Sequence, residues 1–362
     1  MEDKELNTVL SDEANSNEEV KENMDELNAG IDDGEKPLDK NLRLLSPTRM
    51  VVRRFFRSKL SIVGLVMLAA LFIFCWLGPV VYTKWSETET ANTKVEDATF
   101  REVQDENGVG YVQVIITYND IDRLALPSSE HLLGTDEKGL DIFVRLMYGG
   151  RLSLSLSFLA VFLTSALGII IGGIAGYYGG WIDNIIMRIC DMLMCLPTLP
   201  LMLIIGTVLD SNGVDSRYHI YLLMGILSLF SWTGMARLVR GQILFLREQE
   251  YMVAAEAMGY STPRKIFKHL IPNIMPQIIV SMTLSLGSMI LYESTISYLG
   301  FGVRAPLASW GTMVDAVNGF GADLAKYFYV WGPSGICIII AVLGFNFIGD
   351  GLRDALDPKQ RR

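Results

Sequence analysis

Glu293 stands in Leu291-Tyr-Glu-Ser-Thr-Ile-Ser-Tyr298, an ionisable side chain among hydroxyls inside a long apolar stretch. A carboxylate within hydrocarbon is costly and needs a partner or an aqueous surface. Two readings stand: a charged residue facing a pore or gate, or a group that hydrogen-bonds between helices and fixes their packing. The other reactive side chains do not gather. His131, His219 and His269 fall in different loops, and Cys75, Cys190, Cys195 and Cys337 lie in or beside apolar segments without metal-ligand spacing, which reads as packing. Asp191 and Asp350 fall near the ends of apolar segments, where hydration or a salt bridge is expected. The chain has no G-x-x-x-x-G-K-[ST] phosphate loop. The sequence therefore predicts no catalytic residue, no metal site and no cofactor of its own.

A second constellation is mechanical. It occupies the loop over 240–273, which contains Arg247-Glu-Gln-Glu250-Tyr-Met-Val-Ala254-Ala255-Glu256-Ala257-Met-Gly259, then Ser261-Thr-Pro263, and Pro272-Asn273. Gly259 suits a helix terminus, and Ser261-Thr262-Pro263 suits the cap and first turn of the next helix, so the loop reads as helix-turn-helix. Small Ala254 and Ala255 would let a partner approach closely, with Arg247, Glu250 and Glu256 as a charged rim.

The elements that hold these residues are membrane spans. Half of the residues are hydrophobic and mean hydropathy is +0.31. The apolar residues form blocks long enough to cross a ~30 Å hydrocarbon core, near 60–82, 152–177, 190–209, 220–238, 278–301 and 330–348. That pattern argues against a soluble globule. Arg49, Arg53, Arg54, Arg57 and Lys59 precede the first span; Arg240, Arg247, Arg264, Lys265 and Lys268 lie between the fourth and fifth; Arg353, Lys359, Arg361 and Arg362 follow the sixth. All three clusters fall on one side of a six-span chain, which the positive-inside rule makes the cytoplasm, so both termini are expected inside. Pro197 and Pro200 should kink or break the third span. Gly168, Gly172, Gly176 and Gly180 recur every four residues and predict a strip for close helix crossing.

The net charge of -9 sits in the first 45 residues, which carry fourteen acidic and five basic side chains; the rest is balanced. That tail has too little apolar surface to order itself and is expected to be disordered and cytoplasmic. It lacks the basic start and short apolar run of a signal peptide. The expected organisation is the tail over 1–45, a first span with its basic flank over 46–82, an external loop over 83–150, a five-span core over 151–350 and a cytoplasmic end over 351–362. Within the external loop, residues 100–104 and 111–118 read as two strands joined near Asn107-Gly108. That hairpin is either a docking surface for an external partner or an insertion capping a pore mouth.

The loop over 240–273 resembles the EAA loop of permease subunits from binding-protein-dependent ABC importers. Leu133-Gly-Thr-Asp136-Glu-Lys-Gly139-Leu-Asp141, Arg145-Leu-Met-Tyr-Gly149-Gly-Arg151, Ser297-Tyr-Leu-Gly300-Phe-Gly302, Ser309-Trp310-Gly311 and Phe345-Asn346-Phe-Ile-Gly349-Asp350 narrow the likeness to the C-type permease of the oligopeptide/dipeptide/nickel group. It spans about Arg49 to Pro358, apart from an insertion around 85–128. The resemblance implies an all-α integral membrane protein with the six-helix ABC importer permease fold and a small external β-hairpin insertion. It implies a bacterial inner-membrane location and half of a pore for oligopeptide or dipeptide uptake. The implied partners are a second permease, two ATP-binding subunits that hold the ATP and Mg, an extracellular substrate-binding protein and membrane lipid, with no nucleic acid. Nickel chelates, glutathione or another small solute are alternative cargoes, and a secondary transporter is the alternative of another class. The coupling residues carried over are Arg247, Glu250, Ala254, Ala255, Glu256, Ala257, Gly259 and Pro272. Two positions depart: Val253 stands where the family motif opens with Glu, and His269 at the first position of the later hydrophobic motif, which leaves Glu250 or Glu256 to supply the acidic contact.

Overall fold

The structure, a computed structural model, describes residues 47–105, 108–304, 307–316 and 324–356. The acidic tail over 1–45, Asn107 of the expected turn and the C-terminal cations Lys359, Arg361 and Arg362 lie outside the described residues.

A short helix α1 (Pro47–Phe55) carries part of the first basic cluster. Helix α2 (Lys59–Val81) starts where the Ser61 N–H donates to the Ser58 hydroxyl at 3.4 Å, satisfying one of the donors a helix N-terminus leaves open. Helix α3 (Ile142–Tyr178) starts likewise, with the Val144 N–H donating to Asp141 Oδ1 at 2.9 Å. Its 37 residues begin ten positions before the expected span. At 1.5 Å per residue it is about 55 Å long, well beyond the hydrocarbon thickness.

The third span is broken, as its prolines require. Helices α4 (Gly180–Met194) and α5 (Thr198–Ser211) meet at 77°, with Pro197 at the N-cap of α5 and Pro200 in its first turn, where a missing N–H costs least. Helices α6 (Ser216–Ser231) and α7 (Thr233–Arg247) form the fourth span. Then come α8 (Glu250–Ala257), a single turn α9 (Thr262–Lys265) and a π turn (Ile266–Leu270) leading into α10 (Ile271–Tyr298). A short α11 (Trp310–Asp315) and the last span α12 (Phe328–Leu356) complete the described chain. Among the described residues five helical runs are long and apolar enough to cross a membrane, and the bent pair, taken as one span, makes a sixth.

Between α2 and α3, β1 (Asn92–Asp105) and β2 (Gly108–Ile121) pair antiparallel from Asn92↔Ile121 to Asp105↔Gly108. Each strand is longer than the sequence pattern indicates, and Gly108 is the first residue of β2.

Three of the four spaced glycines do what a side-chain-free strip should. A Cβ on Gly168 would lie 2.7 Å from Met235 Cγ, one on Gly172 2.7 Å from Ala236 Cα and one on Gly176 2.9 Å from the Arg240 carbonyl oxygen, so α3 and α7 cross with backbones nearly touching. Gly180 differs. It has open space around it and a φ of +57°, so it serves the turn into α4.

Candidate functional site

At the end of the spans nearest the hairpin, the sequence motifs converge. Trp310 is fully buried; its N–H donates to Ser153 Oγ at 3.2 Å and its indole Nε1 to the Leu146 carbonyl at 3.1 Å, from positions 157 and 164 residues away. The ring lies against bare backbone, since a Cβ on Gly150 would approach Trp310 Cζ2 to 2.6 Å. Ser309 caps α11 in a reciprocal box with Thr312. Glu293 is fully buried beside this plug. Its carboxylate accepts from Ser297 Oγ at 2.8 Å and Ser294 Oγ at 3.5 Å, with the Ser153 and Ser309 hydroxyls beside it. Those hydroxyls come from α3, α10 and the start of α11. Of the two readings of Glu293, the geometry supports the one in which it fixes packing.

Charge is handled locally at this end. Asp136 and Arg145 pair at 3.3 Å with both side chains buried, and His131 Nδ1 meets Asp141 Oδ2 at 2.8 Å under the Trp85 ring, whose centroid is 4.5 Å from that of the imidazole. Asp136 Oδ1 also accepts the N–H groups of Lys138 and Leu140 at 2.8 and 2.9 Å, so the Thr-Asp-Glu-Lys-Gly motif is a folded turn. Beside it is a cavity of about 160 Å³ whose lining includes Asp136, Glu137, Lys138, Arg145 and Asp315. His219 Nε2 lies 3.0 Å from Asp210, which Arg304 also holds. The three histidines remain far apart in role, and among the described residues no cluster of His, Cys, Asp and Glu could hold a metal.

At the opposite end lies the loop over 240–273. Met252 and Ala255, three residues apart on α8, are 3% and 2% exposed, and Met252 packs with Val239, Ile243, Leu270 and Ile274. This corrects the expectation for Ala255: its small side chain lets α8 approach its own chain, and the exposed alanines are Ala254 and Ala257. With Val253 and Met258, 62% and 63% exposed, these make an apolar strip that none of the described residues covers. An eight-residue helix with apolar residues on both faces has only one buried here.

The flanks of α8 follow helix-end chemistry. The Gly259 N–H donates to the Glu256 carbonyl at 2.9 Å and the Tyr260 N–H to the Ala255 carbonyl at 3.1 Å, with Gly259 at φ +72°. That is the paired closure a left-handed residue permits. Ser261 occupies the next N-cap position, yet its hydroxyl makes no cap bond. Arg247 Nη1 donates to the Tyr177 carbonyl at 3.0 Å, a cation at the negative end of α3. Glu250 and Glu256 are both exposed, the latter 3.8 Å from Lys265. Pro272 is the second residue of α10, just past the π turn, and the Asn273 side chain donates to the His269 carbonyl at 2.8 Å.

Asp183 was not legible as a site residue. Arg240 holds it through two bonds of 2.7 and 2.6 Å, tying α4 to α7, while Arg237 holds Asp191. An acid in the first turn of an apolar helix is the signal that a partner must exist, but the pairing crosses 57 residues.

The sequence is similar to those of known transport proteins. Residues 168–362 match the family of binding-protein-dependent transport system inner membrane components, and residues 46–94 match the N-terminal transmembrane domain of oligopeptide transport permease C. The oligopeptide transport system permease protein OppC of Bacillus subtilis is 36% identical over 335 residues, covering 92% of this chain and 95% of that protein. The dipeptide transport system permease protein DppC of the same organism is 37% identical over 318 residues, 88% of each chain. A solved structure of the inward-facing MetNI methionine ABC transporter superposes with a TM-score of 0.48 at 19% identity, over 59% of this chain and 97% of that one. With a family match over more than half its length and these relatives along nearly all of it, the chain belongs to the inner-membrane permease components of binding-protein-dependent transport systems.

Proposed function

We propose that this chain forms half of the pore of an ATP-driven importer of oligopeptides or dipeptides, working with a second permease, two ATP-binding subunits and an extracellular receptor. The observation that carries this reading is the bare apolar strip of α8, Val253, Ala254, Ala257 and Met258, on a helix whose other face is already packed. It offers a groove on an ATP-binding subunit a short helix to accept, with Glu250, Glu256 and Arg247 as its charged edge. The positive-inside rule applied to the basic clusters supports a cytoplasmic side for this loop and both termini. The hairpin and the buried Trp310 plug then face outward. ATP is held by the partners; closure of those subunits moves α8, and α8 moves α7 and α10 through Met252, so the pore alternates between inward and outward access. The peptide assignment follows the two Bacillus relatives.

Purifying the assembled complex and measuring ATP-dependent peptide uptake in proteoliposomes tests the reading. Val253→Asp should leave the protein in the membrane and strip it of its ATP-binding subunits, because an unpaired charge replaces a buried apolar contact. Retention of those subunits with normal uptake would refute the assigned role of α8.

A further inference from the structure

The polar cavity at the hairpin end is charged, but a second cavity is not. It measures about 410 Å³ and lies among α3, α5, α6, α7 and α10. Eight of its fourteen lining residues carry a hydroxyl, and none is charged. On α10, Ser281, Ser285, Ser288 and Tyr292 recur at intervals that place them on one helix face. Ser285 and Ser288 are exposed at a depth where lipid would give a hydroxyl nothing to bond. Thr164 Oγ1 and Tyr292 Oη, which also line it, are buried and have no hydrogen-bond partner among the described residues. Buried polar atoms without partners call for an explanation, and a transient ligand is one.

We infer that this cavity is a transit site for the peptide main chain. The inference rests on the peptide-importer reading above. A hydroxyl both donates and accepts, so a wall of them complements amide N–H and carbonyl groups alike. An uncharged wall neither rejects nor traps acidic or basic side chains, which suits a pore that must pass many sequences. The volume falls within the range of ligand sites. A metal chelate as cargo would find no carboxylate, imidazole or thiolate in this wall.

The test uses the complete complex with its receptor in proteoliposomes. Ser288→Trp should cut dipeptide uptake by about tenfold or more by filling the cavity, with receptor-stimulated ATP hydrolysis retained. Ser285→Asp should leave the complex assembled and raise uptake of lysine-containing over glutamate-containing dipeptides several-fold. Ser288→Cys, measured against the wild-type cysteine background, should react with a small aqueous thiol reagent, and dipeptide should slow that reaction. Wild-type uptake by Ser288→Trp, an unchanged charge preference in Ser285→Asp, or a Ser288→Cys inert in the assembled complex because the second permease fills the space would each overturn the inference. A wild-type complex that imports no peptide sinks the importer reading as well, which separates the two failures.

Discussion

The two ends of the spans are finished differently. Near the hairpin, Glu293 has four hydroxyls around it, Trp310 has both its donors engaged, and Asp136, Arg145, His131 and Asp141 are paired out of water, all within one chain. At the α8 end the Arg237–Asp191 pair is open to solvent, its side chains 40% and 58% exposed, and among the described residues an apolar strip is bare. The first end is self-sufficient. The second leaves apolar surface exposed among the described residues, as the proposed docking of an ATP-binding subunit requires. Substitutions should therefore damage folding at the hairpin end and assembly at the α8 end.

The largest effect belongs to Trp310→Ala. It removes a fully buried ring, leaves the Leu146 carbonyl without its indole donor and opens a void against Gly150, a change that costs about 3–5 kcal/mol in buried sites. We expect little monodisperse protein in detergent, measured by size-exclusion chromatography of the solubilised chain. A Trp310→Ala protein that melts like the wild type would show that this end is held by something outside the chain.

Ala254 and Ala255 sharpen the comparison, because adjacent residues of one helix face opposite ways. Ala255→Leu overpacks the chain's own interior and should lower the melting temperature of the isolated protein, at a cost of about 1–3 kcal/mol. Ala254→Trp should leave that temperature unchanged and weaken retention of the ATP-binding subunits by roughly ten- to a hundredfold. The pair is read by thermal melts of the chain alone and pull-down of the assembled complex. Equal behaviour of the two variants in both assays would erase the distinction between the faces of α8.

The sequence carried the spans, the broken third span and the helix-turn-helix, because hydropathy blocks, proline and Gly259 act locally. It did not carry the phase of α8. Ala254 and Ala255 are alike in type, and only the docking of Met252 beside Ile243 and Ile274 decides which one turns inward. Nor did it decide Glu293. Two of the hydroxyls that enclose it stand on its own helix, within sight of a sequence reading, but Ser153 and Ser309 arrive through tertiary packing. Gly180 fits the four-residue period of the packing glycines, yet its backbone turns the chain instead, a difference visible only in φ.

The smallest effect concerns Glu87, in the segment between α2 and the hairpin. Burial pushes its carboxyl above the usual range, while the Ala308 N–H it accepts and the charges of Arg145 and Arg151 pull the other way and lose. A raised value in the folded state means that the native protein holds this proton more tightly than the unfolded chain does. The resulting stability is fully present below the unfolded value of roughly 4.3 and is lost as pH rises through the folded one. At neutral pH the ionised Glu87 is thus a small net cost, reduced by the water that reaches a half-buried side chain. Glu87→Gln keeps an oxygen for the Ala308 N–H and removes the charge. Its melting temperature should lie slightly above the wild type at about pH 7.5, and the gap should close as the wild-type carboxyl protonates towards about pH 4. A lower melting temperature at neutral pH would show that the arginines and Ala308 outweigh burial, and that the hairpin end depends on this carboxylate as it does on Glu293.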